Sequence, residues 1–147
     1  MIYIFDIDGT IADISHRLLL IQGETKNWEA FYKMCVNDKP IFEVITVARA
    51  LSAAGHTIVY STGRASAVYN ETRDWLIKYR LPDSMNLYMR PDGDHREDSV
   101  VKCELLTKIN GDHANEKLGG IFEDRQQAVD AYRAQGVRVF QVAEGKF

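Results

Sequence analysis

Short apolar runs alternate with helix-period segments along the whole of this chain, and that alternation restricts the fold more than any other feature. The runs are Ile2–Asp6, Thr57–Thr62, Asn86–Arg90, Gly120–Glu123 and Arg138–Ala143. Between them, Val44, Ala48 and Leu51 share one helical face, as do Val68, Thr72, Trp75, Leu76 and Tyr79, and Ala128, Val129 and Tyr132. Strands separated by helices are expected to run parallel, with helices covering the sheet. Gly55 and Gly136 each follow a helical stripe and precede a strand, where a left-handed cap is expected. At 147 residues the chain reads as one α/β domain.

One stretch breaks the rhythm. Residues 14–40 hold more than a single crossover needs: His16–Ile21 and Trp28–Val36 have helical patterns, with a turn over Gln22–Thr25. This predicts a small insert above the sheet, at a position where inserts shape access to a site. Its aromatic residues Trp28, Phe31 and Tyr32 could stack on a base, but packing onto the sheet is the favoured reading. His16 and Arg17 read as helix surface.

Charge and composition narrow the partners. With 27% charged residues and a net charge of −3, the chain has no broad basic footprint for wrapping a long polyanion. One end of a nucleic acid, or a small phosphate ligand, remains compatible. The opening IYIF has no signal-peptide character and no apolar run is of membrane-spanning length. Cys35 and Cys103 lack metal-ligand spacing and read as small buried residues in a reduced compartment. The expected setting is the cytoplasm, away from membranes.

In doubly wound sheets, ligands bind beyond the carboxyl ends of the strands, so the polar residues there carry the chemistry. The first strand ends in Asp6-Ile7-Asp8-Gly9-Thr10, the second in Ser61-Thr62-Gly63-Arg64, the fourth in Glu123-Asp124-Arg125. Lys102 lies near the start of a helix, in SVVK. Two aspartates this close repel each other, and a hard divalent cation such as Mg²⁺, which prefers oxygen ligands, would relieve the repulsion. An ionised aspartate can accept a phosphoryl group, while a second carboxyl protonates the leaving oxygen and then activates water. Thr62 and backbone N–H groups would bind phosphoryl oxygens, and Lys102 would neutralise the remaining charge. D-x-D-G-T should arise by chance in roughly two of a thousand chains of this length, so position and company make accident a poor explanation.

The ordered set DIDGT, STGR, Lys102 in SVVK, and EDR resembles the haloacid dehalogenase-like superfamily of aspartate-nucleophile phosphatases. Within it the chain is similar to the 3′-phosphatase domain of bacteriophage-type polynucleotide kinase/phosphatase, through MRPDGDHREDSVVK (89–102), IFEDRQQAVDAYRAQGV (121–137) and FQVAEGKF (140–147). The resemblance implies a three-layer α/β/α, Rossmann-like fold, with a parallel five-stranded sheet in the order 3-2-1-4-5 and a small helical cap at 14–40. It implies Asp6 as nucleophile and Asp8 as general acid/base. Mg²⁺ would be held by the Asp6 carboxylate, the Asp8 backbone carbonyl and Asp124, with Glu123 acting through water or a neighbouring hydrogen bond. Thr62 and Lys102 would hold the phosphoryl group, and Gly63 and Arg64 would lie near it or near the adjoining nucleotide. Arg90 and Arg96 flank a Pro-Asp-Gly turn; phosphate contacts and salt bridges to Asp92, Asp94 or Asp98 are equally good readings.

The expected activity is therefore a Mg²⁺-dependent phosphomonoesterase that removes 3′-phosphates from DNA or RNA ends. A 5′(3′)-deoxyribonucleotidase or other nucleotide phosphatase is the nearer alternative, and a non-catalytic end-binding module the more distant one. No G-x-x-x-x-G-K-[ST] occurs, so a kinase or a ligase acting in the same pathway would be another protein or another part of a longer product.

Overall fold

A computed structural model describes residues 1–145; of the FQVAEGKF stretch, Lys146 and Phe147 lie outside the described residues. The elements run β1 (Ile2–Phe5), β2 (Ala12–Asp13), α1 (Trp28–Lys33), β3 (Lys39–Pro40), α2 (Phe42–Ala53), β4 (Thr57–Ala65), α3 (Tyr69–Lys78), β5 (Leu87–Arg90), α4 (Asp98–Asp112), β6 (Leu118–Arg125), α5 (Gln126–Ala134) and β7 (Val139–Gly145). Five strands form one parallel sheet in the order β5-β4-β1-β6-β7. That is the 3-2-1-4-5 order expected for the five long runs.

Side-chain alternation along β1 divides the core in two. Phe5 points to a layer with Ile45, Ala48, Trp75 and Leu76 of α2 and α3. Ile2 and Ile4 point to the other, with Leu106, Ile109, Val129 and Tyr132 of α4 and α5. Successive strand residues face opposite sides, so one short apolar strand serves both layers. Phe5, Phe122 and Phe140 form an aromatic ladder across β1, β6 and β7, with ring centroids 4.3 and 4.8 Å apart. Gly55 and Gly136 have φ of +93° and +77°, the left-handed conformation expected at those caps.

The insert departs from its expected form. Its first pattern folds as a 3-10 segment, Ser15–Leu20, and its second as the short α1 followed by a 3-10 turn, Met34–Asn37. The two-residue strands β2 and β3 pair antiparallel and close its base, a small sheet the sequence pattern did not announce. Ile14, Ile21 and Phe31 make a separate cluster beneath it. Of the two cysteines, Cys35 is fully buried and Cys103 only partly so.

Candidate active site

The turn after β1 is wound tightly enough to present two carboxylates in different directions. The N–H groups of Thr10, Ile11 and Ala12 all donate to the Ile7 carbonyl, and Gly9 N–H donates to the Ala12 carbonyl. Gly9 has φ of +83°, and a Cβ there would collide with the Asp124 carboxylate. The turn therefore needs glycine for both its backbone angle and its close approach to the end of β6.

Asp6 lies among acids. One oxygen from each of Asp6, Glu123 and Asp124 falls within 4.8 Å of the others, and all three side chains are buried. Lys102 reaches in from the second turn of α4. Its Nζ donates to Asp6 Oδ1 at 2.9 Å and Glu123 Oε2 at 2.7 Å, and pairs with Asp98 Oδ2 at 3.3 Å. The Thr10 hydroxyl lies 3.1 Å from Asp6 Oδ2 and 3.3 Å from Asp124 Oδ1. One ammonium cannot balance three carboxylates. Burial, and then repulsion from Glu123, push Asp6 up to about 8. Burial and repulsion from Asp6 push Asp124 to about 7. The cluster thus lacks positive charge and offers only oxygen donors, and both features fit a hard divalent cation.

Asp8 points the other way, into a second charge cluster. Arg17 Nη2 donates to Asp8 Oδ1 at 2.8 Å, and Arg64 Nε donates to the same oxygen at 2.8 Å. Both guanidiniums also donate to Asp38, from Arg17 Nε and Nη2 and from Arg64 Nη2, at 2.7–2.8 Å. Arg17, Arg64 and Asp38 are essentially inaccessible to solvent. Phe31 lies under the Arg17 guanidinium, with 4.2 Å from Cζ to the ring centroid. Burial alone would raise the Asp8 carboxyl, but Arg64 and then Arg17 outweigh it and hold it below the usual carboxylate range.

This arrangement changes several expectations. Arg64 does not face the cavity: its remaining Nη1 donates to Thr72, so the whole guanidinium is consumed beneath β4. A buried cation requires such pairing, and here its partners fix Asp8. Arg17, expected on a helix surface, is instead buried in the same cluster. Arg90 clamps the loop between β5 and α4, donating to the carbonyls of Gly63, Asp94 and Arg96 and to Asp98. Arg96 stays at the cavity mouth, paired with Asp94 and Glu104. Gly63 borders the cavity, and a Cβ there would overlap Asp98 Oδ1. Thr62 is fully buried at the end of β4, its hydroxyl accepting from the Arg64 N–H.

Glu123 and Asp124 differ in availability. Glu123 Oε2 is taken by Lys102, and Oε1 accepts from the N–H groups of Asp124 and Arg125. Glu123 borders the cavity alongside Asp6, Asp8 and Lys102, while Asp124 lies just behind, beneath Gly9. The cavity holds about 1130 Å³, slightly above the range of about 300–1,000 Å³ that small-molecule sites use. Asp38, Arg17 and Asp98 are the site residues that sequence reasoning missed. Only Asp98 carried a signal, its i,i+4 spacing to Lys102.

The phosphatase domain of polynucleotide kinase PNKP is the family whose pattern matches, over residues 1–147. The chain belongs to that family. Within this PNKP-type family, the chain is 29% identical over 122 residues to a protein of Autographa californica nuclear polyhedrosis virus named as a bifunctional polynucleotide kinase/RNA ligase. That match covers 82% of the chain and 16% of the viral protein. A chain of the Pnkp1/Rnl/Hen1 RNA repair complex superposes with a TM-score of 0.80 at 28% identity, over 99% of this chain and 43% of the other. The chain therefore spans less than half the length of these relatives. The class C acid phosphatase of Bacillus anthracis shares the fold, with a TM-score of 0.70 at 13% identity, over 99% of this chain and 66% of that one. A haloacid-dehalogenase-type phosphatase domain is what fold, family and buried acidic cluster together establish.

Proposed function

We propose that this domain hydrolyses 3′-phosphates from nucleic-acid ends through an aspartyl-phosphate at Asp6, with Mg²⁺ as cofactor. The observation that carries the reading is the placement of Asp6 and Asp8 on one turn but in separate charge clusters, one short of positive charge and one balanced. Asp6 in the acid-rich cluster is the nucleophile, and Asp8, oriented by two arginines, handles the proton.

Asp6, Asp124 and the Asp8 carbonyl would hold the ion, which when bound supplies the positive charge that lets a phosphate dianion meet a carboxylate. Glu123 is the weaker candidate for direct ligation, because its oxygens already fix Lys102 and the backbone of 124–125. Lys102 fixes the orientation of Asp6 and contacts phosphoryl oxygens. Thr62 would join it through its O–H, which remains free to donate while the hydroxyl oxygen accepts from the Arg64 amide. Gly63 presents its backbone at the cavity wall.

Asp8 is held ionised before substrate arrives, which suits the base it must be when water attacks the acyl phosphate. To act first as an acid it must take a proton as the phosphate approaches. The negative charge of the substrate raises its affinity for one, partly offsetting Arg17 and Arg64.

The size of the cavity and the kinase/ligase and RNA-repair context of the relatives favour an RNA end over a free nucleotide, with a kinase or ligase acting beside this domain, as a partner or as part of a longer protein. The test is a panel with the purified chain, with and without Mg²⁺: 3′-phosphorylated oligonucleotides of RNA and DNA, deoxynucleoside monophosphates, and an alkyl phosphate. Mg²⁺-dependent release from the oligonucleotide is expected to dominate. Preference for monomers would transfer the domain to the nucleotidase reading.

A further inference from the structure

The insert does not treat its three aromatic residues alike. Phe31 is buried under Arg17, and Tyr32 is half-buried with its hydroxyl donating to the Gly63 carbonyl at 3.4 Å. Trp28 is 41% exposed, in the wall of the same cavity as Asp6 and Lys102. Trp28 and Tyr32 are four residues apart on α1, with ring centroids 5.9 Å apart. Tyr32 touches β4 at Gly63, and Trp28 lies one helical turn, about 5.4 Å, along α1 from it. That is roughly the span of one nucleotide.

The charges on the cavity walls decide which way a polyanion leaves. The loop after β5 contributes Asp92, Asp94, Glu97 and Arg96, with Arg96 already paired to Asp94 at 2.8 Å, so that wall stays acidic. The insert contributes Lys26 and Lys33, with Glu29 already paired to Lys33 at 2.8 Å. Lys26 Nζ lies 5.9 Å from the Trp28 ring centroid, a cation resting over a face that a base could take.

We infer that Trp28 is a nucleobase subsite: the base of the phosphate-bearing terminal nucleotide stacks on its indole, and the displaced Lys26 meets the next phosphate along the strand. This rests on the 3′-phosphatase reading and adds a specificity-determining residue to it. A flat, sequence-tolerant stacking surface suits an enzyme that must accept any end.

The experiment compares wild type, Trp28→Ala and Trp28→Phe on a single-stranded 3′-phosphorylated oligoribonucleotide, on the same strand with an abasic terminal position, and on an alkyl phosphate. Stacking of a base is worth about 5- to 150-fold by alanine substitution. Trp28→Ala is expected to lose kcat/KM by that range on the oligonucleotide, mainly through KM. The abasic strand and the alkyl phosphate are expected to be unaffected, and Trp28→Phe to recover most of the loss. Equal activity of Trp28→Ala and wild type on the oligonucleotide would overturn the subsite, as would a uniform loss on all three substrates. A binding arm separates this from failure of the phosphatase reading. Trp75 is buried, so a 3′-hydroxyl oligonucleotide is expected to quench the fluorescence of Trp28 in wild type and leave Trp28→Phe unquenched. Quenching without any hydrolysis would overturn the phosphatase reading and leave the base subsite standing; identical titrations of wild type and Trp28→Phe would overturn the subsite.

Discussion

Replacing Asp38 by asparagine should be among the most damaging single changes that leave shape untouched. Asp8, Arg17, Arg64 and Asp38 form a neutral cluster of two cations and two anions, with Arg17 and Arg64 fully buried and Asp8 at 14% side-chain exposure. Asp38 accepts from Arg17 Nε and Nη2 and from Arg64 Nη2, and His16 Nε2 lies 2.7 Å from its Oδ1. An amide keeps the volume but removes the charge and turns an NH₂ toward a guanidinium. The cluster would then hold an uncompensated buried cation, at a cost of about 3–5 kcal/mol. Domains of this size have about 5–15 kcal/mol in total and lose about 2–4 °C of Tm per kcal/mol. The expected fall is therefore about 6–20 °C. Urea unfolding of the metal-free protein measures it. The double variant Arg17→Met/Asp38→Leu removes a cation with its anion and leaves Arg64 paired with Asp8, so it should cost less than the two single changes summed. A loss below about 1 kcal/mol for Asp38→Asn, or strict additivity in the cycle, would refute the claim that this cluster is desolvated and mutually dependent.

Asp6→Asn should abolish turnover in a phosphate-release assay while retaining the fold by circular dichroism, because an amide cannot accept the phosphoryl group. Asp8→Asn should slow the reaction by about two to four orders of magnitude, most with poor leaving groups, seen in a leaving-group series. Asp124→Asn should weaken Mg²⁺ activation more than Glu123→Gln, compared through metal titrations of activity. The raised carboxyls fix a pH dependence of stability. With Asp6 pushed from 3.8 to about 8 and Asp124 from 3.8 to about 7, the metal-free folded state binds more protons than the unfolded chain between those values, so its stability declines as pH rises from about 4 to about 8. Mg²⁺ requires those carboxylates ionised, so the Tm increment from a fixed Mg²⁺ concentration should grow from about pH 5.5 to about pH 8; a flat increment in thermal melts would contradict it.

The strands and the groups at their ends were legible from short-range patterns, whereas the strand order came with the family resemblance. Asp6, Asp8, Lys102, Glu123 and Asp124 all sit within a few residues of an apolar run or a helix start, and parallel topology brings those ends together. The buried arginines were not legible. Arg17 meets Asp38 across 21 residues that hold α1 between two 3-10 segments, and Arg64 meets it across 26, where no periodicity announces a partner. Arg90, at the end of β5, was read as either a phosphate contact or a salt bridge; the structure pairs it with Asp98 and adds bonds to the carbonyls of Gly63, Asp94 and Arg96, which no sequence spacing announced. In the insert, 3-10 winding replaced the expected first helix, and the spacing of Trp28, Phe31 and Tyr32, which all line the cavity, could not say which ring stays exposed.

The most direct test of covalent catalysis at Asp6 is to quench the enzyme during turnover, reduce it with borohydride and locate the product by mass spectrometry. An acyl phosphate at residue 6 is reduced to homoserine, so homoserine is expected there and nowhere else. An unmodified Asp6 in an enzyme actively releasing phosphate, with inversion of configuration at a chiral phosphate, would contradict it.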